Sequence, residues 1–462
     1  MAKKKNIDMI IIKGNITLKE SMRVIDNGGV HTALIVDNDK KMRGIITDGD
    51  IKRAIQRGVD CAEMVDKVMN REYKHAFVKS NVEKVKSIII DNFITGMPLL
   101  DEHMHPVDFL LLDRNKQLLY YNKRKRLEHR LQKVLVIGGG GYIGSVLVRK
   151  LLKKGYKVTI LDKFIYGKES VADLKGNPNV RIIEGDTRHI EDVSNAISDA
   201  DSVVHLAELV GDPAAALNPQ LTQQVNYLAT RIIAGVCKYY QINRLVYASS
   251  CSVYGASKNN QLLDESSTPN PISLYAKMKV ASEDALKELQ DQNFQPTILR
   301  FATLFGVSNR PRFDLVINTL TAKAVKEKKI TIFGGNQWRP NVHVADVASS
   351  IIAILEAPIS VVGGQVFNVG SESNNYTINK IGEMIKSAVP EAEIINDECK
   401  QDMRDYKVSF SKLNKVINKK KWISIAEGIK EIKKFLQKHP KLNYQDRKYS
   451  NIKFLGEENN PI

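Results

Sequence analysis

The chain has 462 residues, 43% of them apolar and 26% charged, and a formal net charge of +17. Its length leaves room for two or three domains, each with a core of its own, and its composition is that of an ordinary globular protein. No run approaches the ~18 apolar residues needed to cross a bilayer, Met1-Ala-Lys-Lys-Lys leads into no secretory core, and the four cysteines (Cys61, Cys237, Cys251, Cys399) show neither metal-ligand nor disulfide-framework spacing, so we expect a cytoplasmic protein with no metal and no membrane partner.

In chain order, Ile16–Ile25 predicts a short helix, His31–Val36 and Lys41–Ile46 two strands, and Gly44–Ile55 (GIITDGDIKRAI) a passage from strand into helix. The order then recurs, with Val82–Ile90 helical and Met97–Leu100 and Val107–Leu112 extended. A recurrence at about 60 residues signals two copies of one supersecondary unit. Residues 116–132, with the densest basic cluster at Lys123-Arg-Lys-Arg126, read as a linker. The other lysines are spread over both termini and many helix faces, so the charge points to anionic small ligands rather than to nucleic acid. From Lys133 onward, strands and helices alternate, which predicts an α/β fold with a doubly wound parallel sheet. Its strands are Val134–Ile137, Lys157–Leu161, Val180–Ile183, Ser202–Leu206, Arg244–Ala248 and Thr297–Arg300.

Chemistry concentrates where these strands end, the place at which such sheets bind ligands. After the first strand, Gly138, Gly141 and Gly144 let the backbone turn sharply and approach a pyrophosphate, with the N–H groups of the next helix directed at it. Gly140 has no role in this reading. Asp162 ends the second strand eighteen residues after Gly144, where a carboxylate meets an adenosine ribose. It favours NAD over NADP, although Lys163 beside it pulls the other way. Asp186, Ala207-Glu-Leu-Val-Gly211 and Ser249-Ser-Cys-Ser-Val-Tyr-Gly255 follow later strands. Tyr275 and Lys279 stand one helical turn apart in SLYAKMKVASED, so an ammonium neighbours a phenol, favours the phenolate and draws its pKa down. Ser250 could orient a substrate hydroxyl toward Tyr275.

Two resemblances rest on these motifs. Residues 133 to about 435 resemble the extended short-chain dehydrogenase/reductase family, in its nucleotide-sugar epimerase and dehydratase branch typified by UDP-glucose 4-epimerase. The matching segments are GGGGYIGS, Glu184-Gly-Asp186, His205-Leu-Ala207, SSCSVYG, Tyr275 with Lys279, Leu299–Gly306 and Arg339–Asp346. The N-terminal region resembles a tandem CBS (cystathionine-beta-synthase-type) pair, an α+β module that commonly binds adenine nucleotides. Its strongest match is Gly44-Ile-Ile-Thr-Asp-Gly-Asp50, while the second repeat has Asp108–Arg114 in the corresponding place. The resemblances imply a CBS-like pair over 1–115 and a Rossmann-type domain over 133–440. Within the latter, the NAD-binding part takes about 133–308 and 340–372, the smaller substrate-binding part about 309–339 and 373–440, and 441–462 is left as a tail.

They also imply roles. Gly138, Gly141, Tyr142, Ile143 and Gly144 would hold NAD together with Asp162, Asp186, Thr187, Leu206, Ala207, Tyr275 and Lys279. Ser250, Tyr275 and Lys279 would be catalytic, and Ser250, Ser252, Arg339 and Arg404 would meet the substrate, with further contacts from Arg310–Leu320 and Asn318 a candidate among them. Thr47 and Asp50 would take an adenine nucleotide, and the protein would form a homodimer or higher homo-oligomer. The 4,6-dehydratases place an Asp-Glu pair where this chain has Cys251-Ser252, which disfavours dehydration, and Ala302-Thr303 replaces an Asn often found in the epimerase, which leaves the sugar open. The expectation is thus an NAD-dependent nucleotide-sugar epimerase, acting at C4 through a 4-keto sugar and regulated through the CBS pair. Its rivals are a 4-keto nucleotide-sugar reductase or dehydratase using NAD(P)H, and a non-catalytic nucleotide sensor.

Overall fold

The structure is a computed structural model that describes residues 7–28, 30–92, 94, 96–112, 118–121, 132–240, 242–256, 261–291, 294–397, 404–417, 419 and 421–456. The chain divides into two compact units, Met1–Arg130 and Leu131–Ile462. Among the described residues, no helix is long and apolar enough to cross a membrane, and no group of three or more His, Cys, Asp or Glu residues could hold a metal ion.

The first unit holds β1 (Ile11–Lys13), α1 (Leu18–Gly28), β2 (Thr32–Val36), β3 (Met42–Thr47), α2 (Asp48–Gln56), β4 (Ala76–Phe77), α3 (Val82–Asp91), β5 (Gly96–Leu100), β6 (Pro106–Leu112) and β7 (Leu118–Tyr120). Two sheets form, ordered β1-β2-β3 and β4-β5-β6-β7. The internal repeat is visible in detail. Both hairpins shift register next to their turn, at Ile35/Val36 and at Leu99/Leu100. In each turn an aspartate oxygen accepts backbone N–H groups two and four residues on, from Asp39 and Lys41 to Asp37 and from His103 and His105 to Asp101. Lys40 and Met104 hold the same left-handed backbone position, at φ 60° and 67°.

The copies diverge after the second strand of the hairpin. Thr47 caps α2: its hydroxyl accepts from Asp50 N–H, and Asp50 accepts from Thr47 N–H at 2.9 Å. Arg53 donates to the other Asp50 oxygen at 2.6 Å. The second copy has Leu111 in the place of Thr47, and its next described element is β7, a strand paired with β6. This moves a boundary. The linker was expected from residue 116, yet Leu118–Tyr120 is a sheet strand and Tyr121 is fully buried, donating to Gly28 O at 3.0 Å. The basic cluster Lys123–Arg126 lies outside the described residues.

The second unit is built on seven parallel strands: β8 (Lys133–Ile137), β9 (Lys157–Asp162), β10 (Val180–Glu184), β11 (Ser202–His205), β12 (Leu245–Ser250), β13 (Thr297–Phe301) and β14 (Val366–Val369). Their order is β10-β9-β8-β11-β12-β13-β14, the doubly wound sheet expected from the alternating pattern. Alternation along β8 explains its all-apolar sequence. Val134 and Val136 pack with Leu147 and Leu151 of α4 (Tyr142–Lys153) and with Ile351, whereas Leu135 and Ile137 face Val193, Ile233 and Leu286 on the other side. Leu286 belongs to α5 (Leu274–Glu288), the helix that carries Tyr275 and Lys279.

A third core joins the helices Val316–Glu327, Ile378–Ala388 and Ile425–Lys438 around Ile330 and Ile332. Tyr444 is buried in it and Tyr449 packs on it, and a short helix, α6 (Asn451–Leu455), comes next. Residues 441–456 are therefore part of the fold, not a tail.

The cap at α2 gives a direct test of the local energetics. In the intact chain, Thr47→Ala should accelerate amide exchange along α2 roughly fivefold, the equivalent of about 1 kcal/mol. Unchanged protection would show that the cap carries no stability.

Candidate active site

The strand ends of the large sheet open into one cleft with a cavity volume of about 440 Å³. The residues of the second unit named from sequence as cofactor, catalytic or substrate residues line it, from Gly138 on β8's turn to Arg404, with the exception of Asn318.

At one end the glycine turn leaves no space for side chains. Gly138 has φ +85°, and a Cβ there would stand 2.7 Å from Ala207 N. A Cβ on Gly144 would run into the Gly138 carbonyl, so the first turn of α4 rests directly on the end of β8. No side chain caps α4 at Gly141, and a Cβ on Gly141 would meet only the Gly138 carbonyl oxygen. The turn thus presents helix N–H groups to the cleft, as a dinucleotide pyrophosphate requires. Gly140, which had no role on sequence grounds, acquires one here. Its N–H donates to Asp162 Oδ2 at 2.8 Å, and Phe164 N–H donates to Oδ1 at 2.8 Å, so the turn and the carboxylate at the end of β9 fix one another. Burial pushes the Asp162 carboxyl up, against the pull of these two N–H groups and of Arg310. Asp186 is held differently. Burial alone would raise it, but hydrogen bonds from Arg188, at 2.6 and 3.0 Å, and from Lys163, at 2.9 Å, keep it well below the usual carboxylate range. Thr187, Leu206 and Ala207 complete this end, and Leu206 N–H donates to Ile137 O at 2.8 Å. The glycine cradle, uncapped helix and strand-end carboxylate fit a dinucleotide.

At the other end, Tyr275 and Ser250 line the same wall of the cleft, near enough for the Ser250 hydroxyl to draw the Tyr275 phenol down. Ser250 ends β12, and its Oγ also accepts from Ser252 N–H at 3.1 Å. Lys279 Nζ lies 5.5 Å from the Tyr275 ring centroid and donates to Ala248 O. The lowering of the Tyr275 pKa expected from Lys279 is not what the structure shows. Lys279 is paired with Glu208 at 2.5 Å, with side-chain exposures of only 3% and 2%. Glu208 also accepts from Tyr247 O–H at 2.7 Å. Burial, followed by the charges of Glu208 and Asp212, pushes the Tyr275 phenol well above its ordinary range, while Arg312 and the Ser250 hydroxyl oppose them. Glu208 stands in the strand-end stretch singled out from sequence, where a carboxylate among Ala, Leu and Val was the signal for it.

Beneath the site, Arg300 donates to both carboxylate oxygens of Glu283, at 3.0 and 2.6 Å, and to Tyr254 Oη at 3.0 Å, and Ser249 donates to Glu283 at 2.5 Å. These buried bonds tie β12, β13 and α5 together and so position Ser250 relative to Tyr275.

The two arginines proposed for the substrate diphosphate meet in the cleft. Arg339 is buried and donates to Trp338 O at 2.8 Å and to Arg404 O, and Arg404 pairs with Asp212. Asp212 also accepts from Ser273 at the start of α5. Ser252 is buried, and its Oγ has no hydrogen-bond partner among the described residues. Cys251 is buried, donates to Arg300 O at 3.4 Å, and burial pushes its thiol far up, so it is no acid for an elimination. Asn318 does not line the cleft. Its Oδ1 accepts from Gly306 N–H at 3.0 Å, and its Nδ2 donates to Arg312 O at 2.8 Å and Gly306 O at 3.1 Å, which secures the 306–312 loop. That loop instead brings Arg310, Arg312 and Asp314 to the cleft, and Asn451 arrives from far along the chain. In the first unit, Thr47 and Asp50 are occupied with the α2 cap and Arg53.

Comparison with known proteins places this arrangement. The profile of the NAD dependent epimerase/dehydratase family matches residues 134–370, and that of the CBS domain matches residues 5–57. A putative UDP-glucose 4-epimerase of Methanocaldococcus jannaschii is 28% identical over 306 residues, 65% of this chain and 96% of its own length. UDP-glucuronic acid decarboxylase 1 of Arabidopsis thaliana is 28% identical over 319 residues, 66% of this chain and 69% of its own. The fold is similar to that of UDP-glucose 4-epimerase from Thermotoga maritima, solved with UDP-glucose, at a TM-score of 0.61 and 24% identity over 67% of this chain and 100% of that one. With half of its length in the first match, the chain belongs to the NAD dependent epimerase/dehydratase family and carries a CBS domain ahead of that fold.

Proposed function

We propose that this chain is an NAD-dependent nucleotide-sugar epimerase that inverts C4 by way of a 4-keto sugar. The observation that carries the reading is that Ser250, Tyr275 and buried Lys279, one turn from Tyr275, line the same cleft as the glycine turn. Gly138, Gly141, Gly144 and the first N–H groups of α4 would hold the pyrophosphate of NAD, and Asp162 a ribose. The chemistry that bound NAD supplies is the reversible removal and return of a hydride at the sugar carbon.

The chain's own residues account for the rest. Ser250 orients the C4 hydroxyl toward Tyr275, and Tyr275 takes its proton and later gives it back to the opposite alkoxide. Arg339 and Arg404 have the forked geometry that pairs with a diphosphate, and Arg404 would exchange Asp212 for it. No carboxylate adjoins Ser250 to promote loss of water, since Cys251 and Ser252 occupy those positions. Incubation with UDP-, GDP-, CDP- and dTDP-hexoses and with UDP-glucuronate, with product analysis by NMR, tests this. We expect a C4 epimer from at least one of them and its loss in Tyr275→Phe. A pentose product or net consumption of reduced cofactor would contradict the reading, as would full activity in Tyr275→Phe.

The pH dependence is set by the charges. Tyr275 must lose its proton to act as base, and Glu208 both raises its pKa and neutralises Lys279. Activity should therefore climb with pH, and in Glu208→Gln the rising limb should move to lower pH by roughly one unit. A limb that stays in place would remove Glu208 from the account.

Nucleotide control through the first unit would require Thr47 and Asp50 to give up the cap for a ligand. Calorimetry of the full chain with AMP and ATP reads this directly. Heat that vanishes in Asp50→Ala supports a nucleotide site, and no heat with either leaves the unit a scaffold. Light scattering would test the homodimer that both resemblances imply.

A further inference from the structure

The C-terminal segment reaches the dinucleotide end of the cleft and joins three of its loops. Asn451 is 1% exposed and does most of this. Its Nδ2 donates to Val210 O at 3.2 Å in the loop after β11. Its Oδ1 accepts from Arg310 Nη2 at 2.7 Å, and its N–H donates to Asp314 Oδ2 at 2.8 Å. Phe313 N–H donates to Tyr449 O at 2.9 Å, which adds a backbone tie to the same loop. On the third side, Phe454 lies against Tyr166 in the loop after β9, with ring centroids 5.0 Å apart.

Arg310 is the group these contacts enclose. Its guanidinium lies 3.8 Å from the Tyr166 ring centroid, and the residue is 8% exposed, yet its Nε has no hydrogen-bond partner among the described residues. Its neighbour Arg312 is satisfied by a two-pronged pair with Asp314, at 2.8 and 3.0 Å. Asp162, Asp314 and Tyr166 favour the charged form of Arg310, but burial is the larger influence and, with Arg312, brings its pKa down to about 10. A buried guanidinium with an open N–H is costly unless an anion completes it. The cleft in front of it contains the glycine turn and Asp162, the proposed seat of a dinucleotide. Phosphate oxygens match the planar fork of a guanidinium.

We propose that residues 444–456 form a clasp over the dinucleotide end of the cleft, and that Arg310, which the clasp holds in place, is a pyrophosphate ligand of NAD. This rests on the reading that the cleft binds NAD. It makes the clasp, together with the glycine turn, the device that retains the cofactor between turnovers. An epimerase that regenerates its cofactor in each cycle gains from such retention.

The test uses the full chain stripped of bound nucleotide and titrated with NAD by calorimetry, with release followed by displacement. Wild type is expected to bind NAD. Arg310→Met should weaken binding at least about tenfold. Asn451→Ala should weaken it by speeding release, and so should the less buried Phe454→Ala, a variant that keeps the proposal testable if Asn451→Ala does not fold. Gln445→Ala, which breaks a contact to Glu327 in the same segment, should bind as wild type. Melting without NAD identifies any variant that fails to fold. If wild type does not bind NAD, both the underlying reading and the clasp fall. If wild type binds and folded Arg310→Met and Phe454→Ala bind and release NAD as it does, the clasp alone is overturned.

Discussion

The second unit depends on how closely one helix approaches one strand. With no side chain at Gly144, the first turn of α4 rests on the Gly138 carbonyl, and with no side chain at Gly138, the turn fits against the backbone at Ala207. β8 lies between β9 and β11, so the turn stands between their ends. Asp162 stands on one side and Leu206–Glu208 on the other. β12, next beyond β11, delivers Ser250. The strand order thus lays out the cleft, with the proposed ribose-binding end at β9, the proposed anion-binding backbone at β8 and the proposed redox end at β12.

Charge in and beneath this cleft is arranged in pairs. Lys279 has Glu208, Arg300 has Glu283, Arg312 has Asp314 and Arg404 has Asp212. A buried charge without a partner is costly, so the three buried pairs first offset the burial of their own charges. Two of the pairs also bear on the proposed function. Glu208 tempers the influence of Lys279 on Tyr275, and Asp212 holds Arg404, which in the proposed function would exchange it for the diphosphate. Arg310 keeps an Nε with no hydrogen-bond partner among the described residues, which is why it reads as waiting for a ligand.

The features legible in the sequence were those with local causes. β8 and β9 announced themselves as apolar runs, the turn as glycines, and Tyr275 with Lys279 as one helical turn, because each signal lies within a few residues. The helices, strands and repeat of the first unit were read for the same reason, whereas β1, β4 and β7, of two or three residues each, were too short to leave a period. β14 was missed because its four residues come soon after a glycine pair and could as well be a loop. The remaining errors concern partners distant in sequence. Nothing near Asn451 indicates that it will meet Val210, Arg310 and Asp314, and nothing near Asn318 shows that Gly306 and Arg312 will use up its amide. Lys279 was assigned an effect on Tyr275 without the carboxylate that the fold puts beside it. Gly140 was a further case, since its purpose is visible only once Asp162 accepts its N–H.

The central claim is that a carbon-bound hydrogen leaves the sugar and returns to the same carbon inside one closed site. The most direct measurement uses a nucleotide sugar deuterated at C4 and analyses the product by NMR and mass spectrometry. The account predicts inversion at C4 with the deuterium retained there and no accumulation of reduced cofactor. Loss of the deuterium to solvent, or reduced cofactor formed in proportion to product, would contradict it.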